Sequence, residues 1–344
     1  MDIAWYWTAI ISFVIVNFML ISASALVYAE RKVSGLMQNR PGPNRVGPGG
    51  FLTPFADVLK LIMKEDIVPV QANRFVHALA PMLMVVIAMT VPAVIPFARG
   101  FVIADIGVGA LVVLALTSIS VYGITLAGWS SNSKYSLLGG LRSAAQMISY
   151  ELSMGLAVLS VVLIAGSLNL SAIVEHQASG LAVLGWNVFR NPVGAVIFIV
   201  TAFAETNRTP FDLPEAEQEL VGGYHTEYSG MKFGMFFLAE YVNWFVASFV
   251  IVTLFFGGYL IPFEPLFSGW FYANDLGWLL GILQFLALMA KVSFFAFLFI
   301  WVRWTLPRFK YVQLMTLGWK YLLPIALVNT LVVAVGVAIF KAIF

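Results

Sequence analysis

Long stretches without charged residues constrain this sequence more than any other feature. Each is long enough to cross the ~30 Å hydrocarbon core of a bilayer as a helix. A soluble domain carries roughly 25% charged residues, whereas this chain carries 10% and is 61% hydrophobic. The sequence therefore predicts an all-α, polytopic membrane protein that forms one integral-membrane domain over residues 1–344. The predicted spans are Ile3–Ala29, Phe75–Ala98, Ile106–Ser133, Leu152–Val174, Tyr241–Phe263, Leu276–Val302 (interrupted only by Lys291) and Tyr321–Phe340.

A shorter apolar segment completes a predicted set of eight transmembrane helices. Asn191–Ala204 becomes long enough to cross only if Glu205 and its neighbours enter the membrane. Basic residues then fix the orientation, because Lys and Arg accumulate in cytoplasmic loops. With eight alternating spans, fifteen basic residues fall on one side and three on the other, so we expect both termini on the outer, periplasmic side. The inner loops would be 30–75, 134–142, 205–232 and 303–320.

The first inner loop combines a stiff segment with a short amphipathic helix. Gly and Pro punctuate residues 40–50 and exclude regular structure there, and Thr53-Pro54 predicts an N-cap followed by the first helical position. Beyond it, apolar and charged side chains fall on opposite sides of a helix, which suits the membrane interface. Two interpretations stay open, and the sequence alone favours the first: a surface anchor, or the wall of a portal for a lipid-like molecule. The apolar side includes Phe55, Leu59 and Ile62, and the charged side includes Asp57, Lys60 and Lys64.

Four charged residues lie in or beside apolar spans, where each costs roughly 2.5–3.5 kcal/mol at a helix centre. They are Glu151, Glu205, Glu240 and Lys291. The predicted topology places the three carboxylates at similar depth near the inner face. Carboxyl groups gathered in this way can pass protons. The alternative is that each pairs permanently with a basic residue such as Lys291 or Arg303.

The loop after Glu205 is unusually acidic for the cytoplasmic side of a membrane protein. From Glu205 through Glu227 there are six acidic residues, counting both ends, and one basic residue, Arg208. Asp212 with Glu215 fits a capping box, and the helix would end at Gly222-Gly223. A solvated, capped helix explains these two acids. It leaves Glu217, Glu219 and Glu227 unexplained.

The composition argues against a redox centre in this chain. It contains no cysteine and three histidines, which removes thiolate-bound clusters and c-type haem attachment. The Glu-x-x-His pairs of a di-iron bundle do not occur. His225 near Glu227 is a weak pairing for a metal. We therefore expect no cofactor bound by this chain, so that electrons would come from a partner.

The sequence contains a set of short motifs that occur together from the first predicted helix to the last. They are Glu30-Arg31-Lys32, the segment from Gly42 to Pro48, Ala204 to Leu213, Ala239-Glu240-Tyr241, Trp301-Val302-Arg303, Pro307-Arg308, Gln313-Leu314-Met315 and Gly318-Trp319-Lys320. Together these motifs resemble the NuoH family, a membrane subunit of respiratory complex I and the bacterial counterpart of mitochondrial NADH dehydrogenase subunit one. The long acidic-loop motif is the most specific part of the resemblance. One departure is Tyr311-Val312-Gln313, where the family commonly has an acid in the central position.

The resemblance implies a membrane-arm subunit of proton-pumping NADH:ubiquinone oxidoreductase in the bacterial inner membrane, with the mitochondrial inner membrane as the less favoured location. Ubiquinone would be the substrate, while NADH, FMN and the Fe–S clusters would be bound by partner subunits. The implied partners are the peripheral-arm subunits of the quinone site and the last Fe–S cluster, small membrane-arm subunits that lead to the antiporter-like subunits, and membrane lipids. Nucleic acid is not an expected partner.

The family's functional residues carry over by motif to two groups in this sequence. The first is a line of acids that couples quinone reduction to proton movement: Glu151, Glu205, Asp212, Glu215, Glu217, Glu219, Glu227 and Glu240. The second lies near the implied quinone chamber: Arg31, Arg45, Phe55, Arg208 and Phe211. Two other functions stay open, namely the membrane subunit of an energy-converting hydrogenase and an autonomous ion or solute carrier. A carrier commonly has inverted repeats, and none is visible in this sequence.

Overall fold

The computed structural model describes residues 5–178, 182–212, 222–273 and 275–343. Within these ranges the chain is helical, and no β-strand occurs. Seven helical segments are long and apolar enough to cross a membrane, which confirms the all-α, integral-membrane prediction. The helices are α1 (Trp5–Met37), α2 (Thr53–Met63), α3 (Arg74–Thr90), α4 (Gly109–Ser130), α5 (Lys134–Ala165), α6 (Leu170–Ala178), α7 (Asn187–Arg190), α8 (Pro192–Glu205), α9 (Gly230–Phe255), α10 (Glu264–Ala273), α11 (Gly277–Thr305), α12 (Tyr311–Thr316) and α13 (Leu323–Ile343).

The predicted fifth span is the short helix α8. Its fourteen residues extend about 21 Å at 1.5 Å per residue, less than the ~30 Å hydrocarbon core. The other predicted spans correspond to α1, α3, α4, α5, α9, α11 and the continuous segment Tyr311–Ala342. The count of eight crossings and the sides of the termini therefore stay predictions.

Several predicted span boundaries are wrong. The sequence predicts the fourth span at Leu152–Val174, but α5 covers Lys134–Ala165. It ends because Gly166 takes a left-handed backbone conformation (φ +71°) and donates its N–H to the Val162 carbonyl, which is a common way to end a helix. In the same way, α9 begins eleven residues before Tyr241, and the last span begins before Tyr321. Glu151 and Glu240 consequently lie inside helices rather than at their ends.

Two central helices, α5 and α9, organise the bundle. α5 packs against α4, α8 and α13, and α9 packs against α1, α3 and α11. The contact between α4 and α5 is close because Gly128 has no side chain: a Cβ there would lie 2.6 Å from the Ser136 carbonyl oxygen. Trp244 and Phe249 on α9 are completely buried. The charged residues at Glu151 and Glu240 are thus carried on the helices with the most neighbours.

Helix α2 confirms the predicted amphipathic helix but differs at its start. The Thr53 hydroxyl donates to the Gly50 carbonyl at 2.6 Å, so it is not a side-chain cap, and Leu52 is the N-cap residue. The helix packs on α1 and α9. Its predicted apolar side points away from them, since Phe55 and Leu59 are about 60% exposed. The face with Asp57 turns toward the bundle instead, where Asp57 pairs with Arg31.

The predicted orientation can be tested by cysteine labelling, because the chain has no cysteine of its own. Ser133→Cys precedes α5 on the predicted inner side. Gly107→Cys lies on the predicted outer side, where an added Cβ would meet no atom within 4 Å. In sealed right-side-out vesicles, a membrane-impermeant maleimide should label the Gly107→Cys variant at once and the Ser133→Cys variant only after permeabilisation. The reverse pattern would show that the predicted orientation is inverted.

Candidate functional site

A completely buried arginine lies at the centre of the site. Arg208 follows α8 and is 1% exposed. Its Nη1 lies 2.8 Å from Glu30 Oε2 on α1, and its Nε lies 2.9 Å from Glu240 Oε1 on α9. A buried guanidinium is tolerated only when carboxylates and hydrogen bonds replace its lost hydration. The two glutamates supply that compensation from two different helices.

Aromatic rings and a second arginine complete this group. The Arg208 guanidinium lies over the Trp244 and Tyr241 rings, at 4.2 and 4.6 Å from their centroids, which is cation–π geometry. The Tyr241 hydroxyl donates to Glu30 Oε2 at 2.8 Å, and Arg303 Nη1 lies 2.7 Å from Glu30 Oε1. We call these six residues the Arg208 cluster: Glu30, Arg208, Glu240, Tyr241, Trp244 and Arg303.

The Arg208 cluster is electrically balanced as long as its carboxyl groups are ionised. Two carboxylates oppose two guanidinium groups, and the ionised residues come from α1, the segment after α8, α9 and α11. Protonating either carboxyl group would leave one unit of positive charge in a buried environment, where charges interact strongly. The arrangement is therefore sensitive to any nearby gain or loss of a proton.

Helix α5 holds the chain that carries Arg208. The Gln146 side-chain amide donates to the Ala204 carbonyl at 2.9 Å and to the Phe211 carbonyl at 2.7 Å. The Phe211 ring packs edge-on against Tyr150, with centroids 5.4 Å apart. These contacts hold both ends of the turn after α8 in place. As a result, Arg208 is directed into the bundle.

A second acidic pair lies beside the Arg208 cluster. Glu205 closes α8, and its carboxylate interacts electrostatically with Glu151 on α5. Ser118 on α4 hydrogen-bonds to Glu151. No described residue donates a hydrogen bond to Glu205 Oε2, and Glu205 borders an internal cavity of about 50 Å³ that also reaches Asn243. A water needs about 10–15 Å³ of such volume, so the cavity has room for a few waters next to Glu205.

The acids that the sequence groups together have different partners in the structure. Glu151 and Glu205 form one pair, whereas Glu240 belongs to the Arg208 cluster. Asp212 instead lies 2.7 Å from Arg308 Nη2, and Glu227 is half-buried in the segment before α9. The remaining predicted acids fall outside the described residues: Glu215, Glu217 and Glu219.

Glu240 does pair with a basic residue, but the partner is neither Lys291 nor Arg303. Glu240 pairs with Arg208, while Arg303 pairs with Glu30. Lys291 contacts none of these acids. Its ammonium donates to the carbonyls of Phe256, Gly258 and Leu260, at the far end of α9.

A cavity of about 260 Å³ opens between α1, α2 and α9. The ion pair between Arg31 Nη1 and Asp57 Oδ2, 2.6 Å long, lies in its wall. Tyr241 also lines it and reaches the Arg208 cluster through its hydroxyl. The cavity is otherwise bounded mainly by apolar side chains: Ala23, Val27, Val58, Leu61, Phe233 and Phe237.

Only one of the five residues predicted near a quinone lines this α1–α2–α9 cavity. Arg31 does so. Phe55 and Arg45 are exposed and lie outside its lining. Arg208 and Phe211 are buried deeper in the bundle.

The sequence suggests no separate role for Glu30, which contacts Arg208, Tyr241 and Arg303 in the Arg208 cluster. It follows a long apolar run and precedes Arg31-Lys32, a pattern typical of a solvated helix end. α1 continues to Met37, however, so Glu30 stays inside a helix and is 5% exposed. The sequence feature that could have identified Glu30 is an acidic residue directly after an uncharged span.

The described residues contain no group of three metal-ligating side chains. His225 lies two residues before Glu227 in the sequence, which is a weak pairing for a metal. Burial lowers the pKa of His225 to about 4, so its ring is neutral at pH 7.

Comparison with known proteins fits this arrangement. The sequence profile of the family described as NADH dehydrogenase matches residues 9–334. "NADH-quinone oxidoreductase subunit 8" of Rhodothermus marinus is 77% identical over 99% of this chain and 100% of its own length. The H subunit of NADH-quinone oxidoreductase from Salinibacter ruber is 71% identical over 98% of both chains, and that from Rhodospirillum centenum is 53% identical over 92% of this chain and 89% of its own. The chain belongs to the NADH dehydrogenase family of integral-membrane subunits.

Proposed function

We propose that this chain is the NuoH-type membrane subunit of a proton-pumping NADH:quinone oxidoreductase in a bacterial inner membrane. In this role it forms part of the path by which ubiquinone reaches the junction with the peripheral arm. It also passes the electrostatic effect of quinone reduction into the membrane arm. NADH, FMN and the Fe–S clusters belong to partner subunits, and this chain contributes no redox centre.

The observation that carries this proposal is the shared position of Tyr241. Its ring lines the apolar α1–α2–α9 cavity, and its hydroxyl donates to Glu30 in the Arg208 cluster. A quinone needs an apolar passage with a few oriented polar groups. This cavity has mainly apolar walls together with the Arg31–Asp57 ion pair. A molecule in the cavity is therefore one side chain away from the buried charges.

The charge balance of the Arg208 cluster gives the coupling a physical basis. Reducing a quinone to a quinol takes up two electrons and two protons, so a group beside the cavity that donates one of these protons loses one unit of positive charge. Glu30 and Glu240 both contact Arg208, and a shift in one of these ion pairs alters the other. Glu205 and Glu151 are the next acids in the bundle, with room for water beside Glu205. The proposed relay runs from the Arg208 cluster through the Glu151–Glu205 pair to the acids of the loop after α8.

Copurification separates this function from its alternatives. Mild solubilisation of native membranes should recover the chain with flavin- and Fe–S-containing subunits that oxidise NADH. Recovery with a nickel–iron subunit would instead indicate an energy-converting hydrogenase. Transport by the isolated chain in vesicles would indicate a carrier.

Removing one negative charge from the Glu151–Glu205 pair or from the Arg208 cluster should impair coupling. The oxidation of NADH by the peripheral arm should stay intact. Glu205→Gln and Glu240→Gln keep side-chain shape but remove a charge. We expect roughly tenfold lower quinone-linked turnover, equivalent to about 1.4 kcal/mol of barrier. NADH oxidation by an artificial acceptor should be unchanged in the same membranes.

Glu65→Gln is the matched control, since Glu65 is an exposed acid and its substitution should leave both activities unchanged. Assembly is checked by the amount of peripheral arm bound to membranes. Normal quinone reduction and normal proton pumping in both buried variants would eliminate these positions from the relay.

The two faces of α2 provide a sharp test of the quinone path. Val58 lines the α1–α2–α9 cavity, whereas the neighbouring Leu59 does not. Val58→Trp should narrow the passage and raise the apparent KM for quinone severalfold. Leu59→Trp adds similar bulk on the exposed face and should leave KM unchanged.

Kinetics are normalised to assembled complex, so a loss of complex is not mistaken for a loss of binding. If α2 were only an anchor, the two variants would change the amount of complex without changing KM. An equal KM in Val58→Trp and in the parent protein would refute the path along this cavity.

A further inference from the structure

A second sizeable cavity lies at the opposite end of the bundle and takes no part in the proposed quinone chemistry. It measures about 270 Å³ and lies between α6, the turn after α9 and the start of α10. Phe256, which caps α9, lies sixteen positions after Glu240, about 24 Å along the helix axis. We call it the distal cavity. Its wall includes Arg99, Glu175, Trp186, Tyr259, Phe263 and Glu264.

The distal cavity contains a buried carboxylate held by neutral donors. Glu264 is only 6% exposed. Gln284 Nε2 donates to its Oε1 at 2.7 Å, and the Ile261 backbone N–H donates to its Oε2 at 3.1 Å. No basic side chain of the described residues lies within ion-pair distance of it. The two neutral donors orient the carboxyl group, and a buried carboxyl group held in this way suits a cationic ligand.

Lys291 is close enough to interact electrostatically with Glu264, but its ammonium is already bound elsewhere. Its three hydrogen bonds, of 2.7–2.9 Å, go to the carbonyls of Phe256, Gly258 and Leu260. The ammonium also lies 4.3 Å from the Trp186 ring centroid. An ammonium has three donors, so Lys291 has none left for Glu264. Glu264 lines the distal cavity, so a second ammonium group placed in the cavity can reach its carboxyl group.

The rest of the cavity suits a ligand with an ammonium at one end and an anion at the other. Tyr259 contributes an aromatic ring to the wall that Glu264 also lines, and aromatic rings attract cations. Arg99 and Phe263 are exposed, with Phe263 presenting apolar surface at the rim. Arginine is well suited to phosphate, and an apolar rim suits the start of acyl chains at the interface of a bilayer.

We propose that the distal cavity binds the headgroup of a phospholipid with a primary ammonium, its nitrogen on Glu264 and its phosphate beside Arg99. A primary ammonium donates hydrogen bonds to Glu264, whereas the trimethylammonium of phosphatidylcholine has no N–H. The lipid would fill the space between α6, the turn after α9 and α10. This site is independent of the quinone path, so its test does not depend on the proposed function.

The test uses the intact assembled complex in nanodiscs of phosphatidylcholine that contain a small fraction of phosphatidylethanolamine. After detergent washing, native mass spectrometry counts the lipids retained. We expect one tightly held phosphatidylethanolamine that is absent from Glu264→Gln. Loss of a hydrogen bond to a charged group should weaken binding about ten- to a hundredfold. Glu65→Gln, at the other end of the molecule, should retain it.

Lipid substitution keeps the test decisive even if Glu264→Gln fails to assemble. Retention by the unmodified complex should fall stepwise when phosphatidylethanolamine is replaced by its N-methylated forms, and phosphatidylglycerol should not compete. Equal retention of phosphatidylcholine, or unchanged retention in an assembled Glu264→Gln complex, would overturn the proposal. Displacement by free ethanolamine as effectively as by the lipid would overturn the phosphate and rim contacts, and with them the lipid assignment.

Discussion

Burial of the Arg208 guanidinium is the constraint on which the arrangement at this end of the bundle depends. A charge removed from water must be compensated by partners with good geometry, and here the partners come from separate helices. Glu30 fixes the position of α1, and Glu240 fixes that of α9. Arg303 on α11 also pairs with Glu30 and supplies the second positive charge of the cluster. The relative placement of three long helices is therefore tied to one side chain on the connection after α8.

A single side chain also connects the Arg208 cluster to the cavity beside α1 and α2. Tyr241 belongs both to the cavity wall and to the Arg208 cluster, so no additional element is needed between the apolar passage and the buried charges. Arg31 directly follows Glu30 on α1, yet it pairs with Asp57 on α2 instead of entering the cluster. Adjacent residues of one helix thus connect to two different parts of the site, because neighbours on a helix point in directions about 100° apart.

Much of the fold can be predicted from the sequence, because apolar runs of sufficient length have few alternatives in a bilayer. The boundaries are less predictable. Charged residues such as Glu151 and Glu240 suggest helix ends, but a helix continues through a charge when the neighbouring helices supply a partner. The site is predictable where a charge interrupts an apolar run, as at Glu205. Glu30 escapes prediction because its neighbours Arg31-Lys32 suggest solvation, and the orientation of α2 depends on a tertiary ion pair that periodicity does not contain.

The long separation between the partners of the Arg208 cluster has a consequence for biogenesis. Glu30 and Arg208 are 178 residues apart in sequence, and Arg303 follows later still. If the helices are inserted in sequence order, Glu30 on α1 enters before any of these partners, and a buried charge without a partner is costly in a membrane. All the charges are present only after the α11 segment has been inserted. The cluster can therefore be completed only late in membrane integration.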